Sequence, residues 1–445
     1  MKWLSRIRSR FGDFWWYSAL IFIASRFGDA INIFIGAWLV PKYIPSEELG
    51  AVLPLSVFSS TLGLPIAIFG IVFLKHVNVL ATEKKYGQLK TLLRSVFISI
   101  AVTFLIILLS AIIIMPHFFE RIRVARGSLG ILIVATGFLG SVAPIYSNAL
   151  QALKRFKTIS LLHILGAPIR LVVMLITLPF RPLASYFAAQ SSISLTSIFI
   201  SIFSLRKEIS PSVKPEPYWT KENTKEILRY TLFVTLYFLP GVVNLIETTI
   251  IRQRLPSMDS AAYYMISRFA EISMYASGAI LTVLFPFVSE AAAKNEKRYR
   301  LIIRAVLAAI AFGLFCTVIF FFFGDRLLSL LPNGELYSAY TPQLSILTIS
   351  LTLGAALNCM ILSFAAEKNF RFLWWWLPIH IAYGAALLFI TGYGYIEQYL
   401  PESVISVLKE INGYGLNFIL TAMLTLSIVK LLFCSLPINC KKERS

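Results

Sequence analysis

Residues 44–74 read IPSEELGAVLPLSVFSSTLGLPIAIFGIVFL. From Gly50 to Leu74 no residue is charged, and at ~1.5 Å per helical residue this run reaches roughly 37 Å, enough to cross a bilayer core of about 30 Å. A shift of 211 positions lays Ile44-Pro45-Ser46 on Leu255-Pro256-Ser257, Ala51 on Ala262 and Ser56 on Ser267, so the stretch occurs twice. The basic segment around Lys84 falls under the same shift on that around Lys294. A shift of 214 lays Ala152-Leu153-Lys154-Arg155-Phe156-Lys157 on Ala366-Glu367-Lys368-Asn369-Phe370-Arg371. Two distant segments with nearly one offset, each in the same span-to-loop setting, predict a duplicated membrane protein.

Outward from this stretch the rest of the 445 residues agree. The chain is 57% apolar and only 14% charged, which excludes disorder and an ordinary soluble globule. Apolar runs predict twelve spans, at about 14–40, 50–74, 92–115, 127–150, 160–179, 183–205, 227–251, 260–286, 301–323, 343–365, 371–391 and 412–436. The expected fold class is all-α integral membrane, with two six-helix lobes related by a parallel internal repeat around a central cavity. Residues 1–206 form the N-terminal lobe, 207–226 a proline-bearing cytoplasmic linker and 227–445 the C-terminal lobe.

The net charge of +19 would point to nucleic acid in a polar chain, but here it reports orientation. With the amino terminus inside, 28 of the 41 Lys and Arg residues fall at cytoplasmic ends and loops, against nine outside. Both termini are expected in the cytoplasm and no nucleic-acid partner is expected. Segments Ala81–Arg94 and Ala291–Arg304 mix basic and apolar residues, as connections that bind anionic lipid head groups would. The basic start, Lys2 to Arg10, flanks a run too long for a secretory signal.

Arg26, Arg170, Arg268 and Lys430 remain inside spans, where a charge needs a partner, water or a task. Arg26, Asp29 and Asn32 share one face of the first span, and Arg268 and Glu271 repeat that spacing on the eighth. Glu247 lies near the outer end of the seventh span, and Lys430 is close enough to the inner end to snorkel. One reading makes Arg26, Arg170 and Arg268 the lining of a hydrated cationic cavity, with Asp29, Glu271 and Glu247 as charge partners or coupling groups. The other pairs Arg26 with Asp29 and Arg268 with Glu271 as a polar seam between lobes. Pro54, Pro65, Pro144, Pro168, Pro240 and Pro378 interrupt helices and favour kinks.

Cys316, Cys359, Cys434 and Cys440 have no paired spacing, and His76, His117, His163 and His380 no metal spacing. There is no GxxxxGK[ST] motif, so energy must come from outside the chain. No metal, no cofactor and no enzymatic activity are expected.

"YIPSEELGAVLPLSVFSSTLGLPIAIFG" followed by "EKKYGQLKTLLRSVF" resembles the polysaccharide flippases of the multidrug/oligosaccharidyl-lipid/polysaccharide (MOP) exporter superfamily. "SNALQALKRFKTISLLHILGAPIRLVV" resembles their fourth-to-fifth span connection. "DSAAYYMISRFAEISMYASGAILTVLFPFVSEAAAKNEK" resembles their eighth span, ending in Pro286 and the Ser289-Glu290 pair. The resemblance implies a flippase of polyprenyl-pyrophosphate-linked oligosaccharides, such as O-antigen or capsule units, in a bacterial inner membrane. It also implies glycosyltransferases or a glycan polymerase of the same pathway as partners. The lipid II flippases of the superfamily use arginines and an acidic residue on the first and eighth helices, which Arg26, Asp29 and Arg268 resemble in position. Two alternatives stand beside this reading: a cation-coupled multidrug exporter on the same fold with Asp29 as the ion site, and an integral-membrane glycan polymerase or ligase, which the short external loops disfavour.

Overall fold

The computed structural model describes residues 2–125, 129–206, 214–238, 241–293, 299–366, 369–392, 402–403, 406 and 415–442. Pro240, Arg126, Lys207, Lys294, Lys297, Arg298, Lys368 and Lys409 lie outside the described residues. Every regular element among those described is helical. Among the described residues ten helices are long and apolar enough to cross a membrane, and a bent pair, Ser46–Leu62 and Leu64–Leu80, makes up to eleven against the twelve expected. At the place of the eleventh expected span lies a shorter apolar helix, Leu373–Phe389.

In chain order the spans are Trp15–Tyr43, the bent pair, Tyr86–Arg121, Leu129–Ala152, Phe156–Thr177, Pro182–Leu205, Lys221–Arg254, Ser257–Ala291, Tyr299–Ser329, Thr341–Ala366, Leu373–Phe389 and Leu416–Phe433. They are called the first to twelfth below. The third and ninth carry stripes of exposed apolar side chains, Ile98, Val102, Leu105 and Leu109 on one and Phe315, Phe322 and Phe323 on the other, a surface that only lipid tails would cover.

Two departures from straight helix have local causes. The first span widens into a π-helical stretch over Phe34–Leu39, directly before Pro41. Pro41 lacks an N–H and its ring crowds the carbonyl four residues back, and the wider turn relieves both. The second span bends by 56° between Leu62 and Leu64. There Pro65 removes one ladder donor, and Gly63 lets the chain press on the fourth span. A Cβ on Gly63 would lie 1.7 Å from Ser141 Oγ, and one on Gly137 would lie 2.2 Å from the Ser59 carbonyl oxygen. Ser59 Oγ in turn donates to the Ile133 carbonyl at 2.9 Å. Ser59 and Gly63, facing Gly137 and Ser141, thus form a small-residue contact of the kind that lets membrane helices approach closely.

The internal repeat is visible in the backbone. Pro45 and Pro256 both sit at helix starts in the same extended conformation, φ −56° and ψ 150° against φ −51° and ψ 151°. At the basic ends, Lys85 N donates to the Leu80 carbonyl, Arg155 N to that of Leu150 and Asn369 N to that of Phe364. These six-to-one closures are Schellman turns, with Lys84 and Lys154 in the left-handed region at φ 58° and 55°. The second and third of them are the two halves of the 214 shift.

Packing groups the fourth, fifth and sixth spans with the first and second, and the ninth, tenth and twelfth with the eighth. The lobes meet where the first span packs on the eighth and the second on the seventh. Under the repeat, first corresponds to seventh and second to eighth, so these two contacts are copies of one another across the pseudo-symmetry axis. The described part of the linker is tied to the N-terminal lobe. Tyr218 hydrogen-bonds His76 Nδ1 at 2.7 Å, Trp219 Nε1 donates to Ser95 Oγ at 2.7 Å, and Thr91 Oγ1 donates to the Glu216 carbonyl at 2.7 Å.

Gly137→Val would force the second and fourth spans apart and cost about 1–3 kcal/mol, the usual range for overpacking. Thermal unfolding of the purified protein in detergent should show a lower midpoint for this variant, whereas Gly278→Ala, which meets nothing within 4 Å, should leave it unchanged or higher.

Candidate functional site

A cavity of about 510 Å³ lies along the N-terminal lobe where it faces the eighth span. Its wall includes Asp29 and Asn32 of the first span, Ser56, Ser59 and Ser60 of the second, and Thr136, Gly140 and Ser141 of the fourth. Arg170 of the fifth, Tyr186, Gln190 and Ser194 of the sixth, and Arg268, Glu271 and Tyr275 of the eighth complete it. Four of the six charged residues singled out in the sequence, Asp29, Arg170, Arg268 and Glu271, share this wall.

Arg26 sits behind Asp29 at the lobe seam. Its Nη2 is 2.6 Å from Asp29 Oδ2, 3.1 Å from Ser25 Oγ and 3.3 Å from the Tyr275 carbonyl of the eighth span. The guanidinium is also sandwiched by the rings of Phe22 and Tyr275, at 4.4 and 4.5 Å. On the eighth span Arg268 Nη2 donates to Glu271 Oε1 at 2.5 Å and lies over Tyr264. Tyr264 donates across the seam to the Gly36 carbonyl at 3.1 Å, and Gly36 has no side chain to obstruct the Arg268 stem, whose Cδ would be 3.3 Å from a Cβ there. The short turn over Glu271–Met274 is 3-10 in geometry, which tightens the helix where Glu271 faces its arginine.

Both pairings expected from three-residue spacing are formed, and the cavity is charged as well. Of the two pairs, Arg268 with Glu271 stands in the cavity wall, whereas of the other only Asp29 does; Arg26, expected to line the cavity, does not. Arg170 differs from the other two arginines. It is buried at 7% exposure, donates through Nη1 to Asn32 Oδ1 at 2.8 Å and lies over the Tyr186 ring at 5.2 Å. Among the described residues no carboxylate stands within 4 Å of it, although Glu271 is in electrostatic reach. With Arg26 balanced by Asp29 and Arg268 by Glu271, the site keeps one excess positive charge, on Arg170. Arg170 Nε and Arg268 Nε are buried donors with no acceptor among the described residues. The cavity is thus less cationic than three arginines alone would make it.

Glu247 is elsewhere. It is buried within the C-terminal lobe, where Tyr383 donates to it at 2.8 Å and Tyr263 at 3.4 Å. Lys430 does not reach for the interface as expected; its ammonium turns onto the Trp376 ring at 5.1 Å, within electrostatic reach of Glu247 and His380. The serines, Thr136, Tyr186 and Gln190 of the cavity carried no charge to mark them. Their signal is spacing alone: Thr136 with Gly140 and Gly137 with Ser141, then Tyr186, Gln190 and Ser194, recur four residues apart.

The halves also touch beyond the cavity, towards each end of the spans. At the end away from the basic turns Arg252 donates to the carbonyls of Glu47 and Ile122, and Ser260 Oγ donates to the Gly50 carbonyl at 3.3 Å. At the basic end Lys154 Nζ meets Glu290 Oε2 at 2.5 Å, and Gln151 Nε2 donates to the Thr282 carbonyl. The basic turn after the fourth span and the Ser289-Glu290 pair, two separate features of the sequence, are therefore partners.

No protein-family model and no curated protein sequence matches the chain. Solved structures do. An inward-facing multidrug resistance MATE family transporter of the MOP superfamily superposes with a TM-score of 0.64 at 16% identity, covering 95% of this chain and 96% of that one. A MOP superfamily transporter from Pyrococcus furiosus, described as having a binding pocket of reverse polarity that suggests a different function, gives 0.66 at 16% identity over 97% of each chain. A variant of a Vibrio cholerae MATE transporter gives 0.65 at 15% identity, covering 100% and 99%. The fold is that of the MATE and MOP transporters. At these identities the likeness is one of fold, and it extends over almost the whole chain. In this chain the first and eighth spans meet at the seam, and Arg26, Asp29, Arg268 and Glu271 lie on them.

Removing an unneutralised buried cation and removing the partner of a cation have opposite consequences for stability. Arg170→Met should leave the unfolding midpoint in detergent unchanged or raised. Glu271→Leu, which strands Arg268 beside Arg170, should lower it.

Proposed function

We propose that this chain is a membrane transporter that works by alternating access, exporting drug-sized organic molecules in exchange for protons or sodium ions. The observation that carries the reading is the cavity itself: about 510 Å³, beside the seam between the lobes, and walled by two carboxylates and two arginines in a MOP fold whose solved examples include multidrug transporters. A volume of this order encloses a drug-sized ligand. Coupling follows from Arg26. Its Nη2 holds Asp29 on its own span and the Tyr275 carbonyl on the facing one, so a proton or sodium ion at Asp29 loosens a group that ties the lobes together. An ion site and a conformational seam then share one guanidinium, which is what an exchanger requires.

The excess charge on Arg170 selects the cargo. A cationic molecule held ~6 Å from it at an effective dielectric of about 20 is disfavoured by about 3 kcal/mol, close to a hundredfold in affinity. Neutral, zwitterionic and acidic molecules fit. The same charge, with the spare Nε donors of Arg170 and Arg268, favours a second reading: flipping of a polyprenyl-pyrophosphate-linked oligosaccharide whose phosphates take those donors. In that reading the pathway's glycosyltransferases or polymerase are neighbours. In either reading the protein belongs in the bacterial inner membrane with both termini in the cytoplasm, as its basic residues are distributed. The polymerase or ligase reading has no structural observation in its favour.

In inside-out vesicles an acidic fluorophore should accumulate only with an imposed proton or sodium gradient, and Asp29→Asn should abolish this without reducing protein in the membrane. Gradient-independent accumulation by Asp29→Asn would refute the exchange mechanism. Loss of surface glycan in a strain lacking the gene, with acidic dye efflux intact, would transfer support to the flippase reading. For alternating access, Gly50→Cys with Ser260→Cys in a background free of other cysteines brings two sulfurs together across the lobe contact at the end away from the basic turns, the Cβ of residue 50 lying 2.8 Å from that of Ser260 before relaxation. Oxidation should stop transport and reduction restore it; transport unaffected by a formed cross-link would rule out opening at this end.

A further inference from the structure

A second cavity of about 510 Å³ lies outside the transport site, at the basic end of the C-terminal lobe. Glu226, Arg229, Tyr230 and Phe233 line it from the start of the seventh span, and Phe370, Arg371 and Trp374 from the turn into the eleventh. Its floor is rigid. Phe233 and Phe370 stack at 4.6 Å with their planes 8° apart, and Tyr230 Oη donates to the Ala365 carbonyl at 3.0 Å, fixing the seventh span to the end of the tenth. The rim is charged. Arg229 and Arg371 are both exposed, and among the described residues neither has a carboxylate within 4 Å. Trp374 is 86% exposed at the same level, the position in which an indole marks the boundary between lipid tails and head groups.

From this arrangement we propose that the cavity is a binding site for one anionic phospholipid, its phosphate held between Arg229 and Arg371 and its glycerol and upper acyl chain laid on the Phe233, Phe370 and Trp374 surface. The chemistry is matched at each part. Two guanidiniums with no carboxylate within 4 Å among the described residues, one of them over the Phe233 ring at 5.9 Å, offer a fork of donors to phosphate oxygens. The aromatic floor excludes water beside them, and the opening faces the leaflet in which anionic lipids meet basic residues. Glu226, also in the wall, disfavours an anion lodged at its side and directs the phosphate toward the Arg371 edge. Tyr230 and Val234 pack on Ile68 and Val72 of the second span, so the occupied site borders the seam between the lobes. A lipid there would act on the equilibrium between transport states without entering the transport cavity. Among the described residues, segments 81–94 and 291–304, expected from their composition to meet anionic head groups, contribute none to this cavity.

The test is native mass spectrometry of the protein released from nanodiscs containing equal phosphatidylglycerol and phosphatidylcholine. The wild type should retain a phosphatidylglycerol adduct. Arg229→Gln with Arg371→Gln should lose at least nine-tenths of that adduct, while Lys85→Gln, on another basic turn, should keep it. Retention of the adduct by the double variant, or equal retention of phosphatidylcholine by the wild type, would overturn the proposal. Inorganic phosphate and pyrophosphate at millimolar concentration serve as the free-anion arm. If either displaces the lipid adduct completely, the site takes free phosphate and the lipid assignment fails. Thermal unfolding of the double variant in lipid-free detergent, equal to the wild type, establishes that a lost adduct is not a lost fold.

Discussion

A guanidinium in the interior of a bilayer is tolerated only when other groups replace its water, and Arg26 has this replaced from both sides of a seam. Asp29 and Ser25 come from its own span, while the Tyr275 carbonyl and ring come from the facing one, 249 residues later in the chain. The two lobes cannot separate here without re-solvating that charge, at a cost of several kcal/mol on insertion scales unless water enters with the motion. A hydrated cavity beside the seam is consequently required for any opening. The close approach of Gly36 to Arg268, the hydroxyl of Tyr264 on the Gly36 carbonyl and the 3-10 turn at Glu271 all hold this same boundary in register.

The break in the second span has a complementary role. Small residues at positions 59, 63, 137 and 141 fasten that span to its own lobe, while both of its halves pack on the seventh span of the other. The bend lets one span follow both the fourth and the seventh along its length. The Gly63-Leu64-Pro65 sequence provides the corner, and the close contact with Gly137 keeps the corner from straightening.

Most spans and the repeat were legible because they rest on composition and on local periodicity, which a membrane imposes strongly. The pairings within one helix, Arg26 with Asp29 and Arg268 with Glu271, were legible for the same reason, since three-residue spacing needs no tertiary knowledge. Partners across helices were not. Nothing in the sequence marks Tyr275 as the acceptor for Arg26, Asn32 as the partner of Arg170, or Glu290 as that of Lys154, because each depends on which helices meet and at what height. Glu247 shows the limit most clearly: it is as apolar in setting as the others, yet the fold directs it into the C-terminal lobe against Tyr263 and Tyr383. Lys430 was legible as a basic residue near an interface but not as one turned inward onto Trp376.

The left-handed turns at Lys84 and Lys154 have one more implication. Glycine is the usual residue at such a helix stop, because a side chain there is strained. These turns instead carry two of the charges on which the expected orientation rests. In that orientation the residue that terminates the helix is also one that orients the span. Replacement by glycine would relax the backbone while discarding an address, so at these two positions stability and topology pull the choice of amino acid in opposite directions.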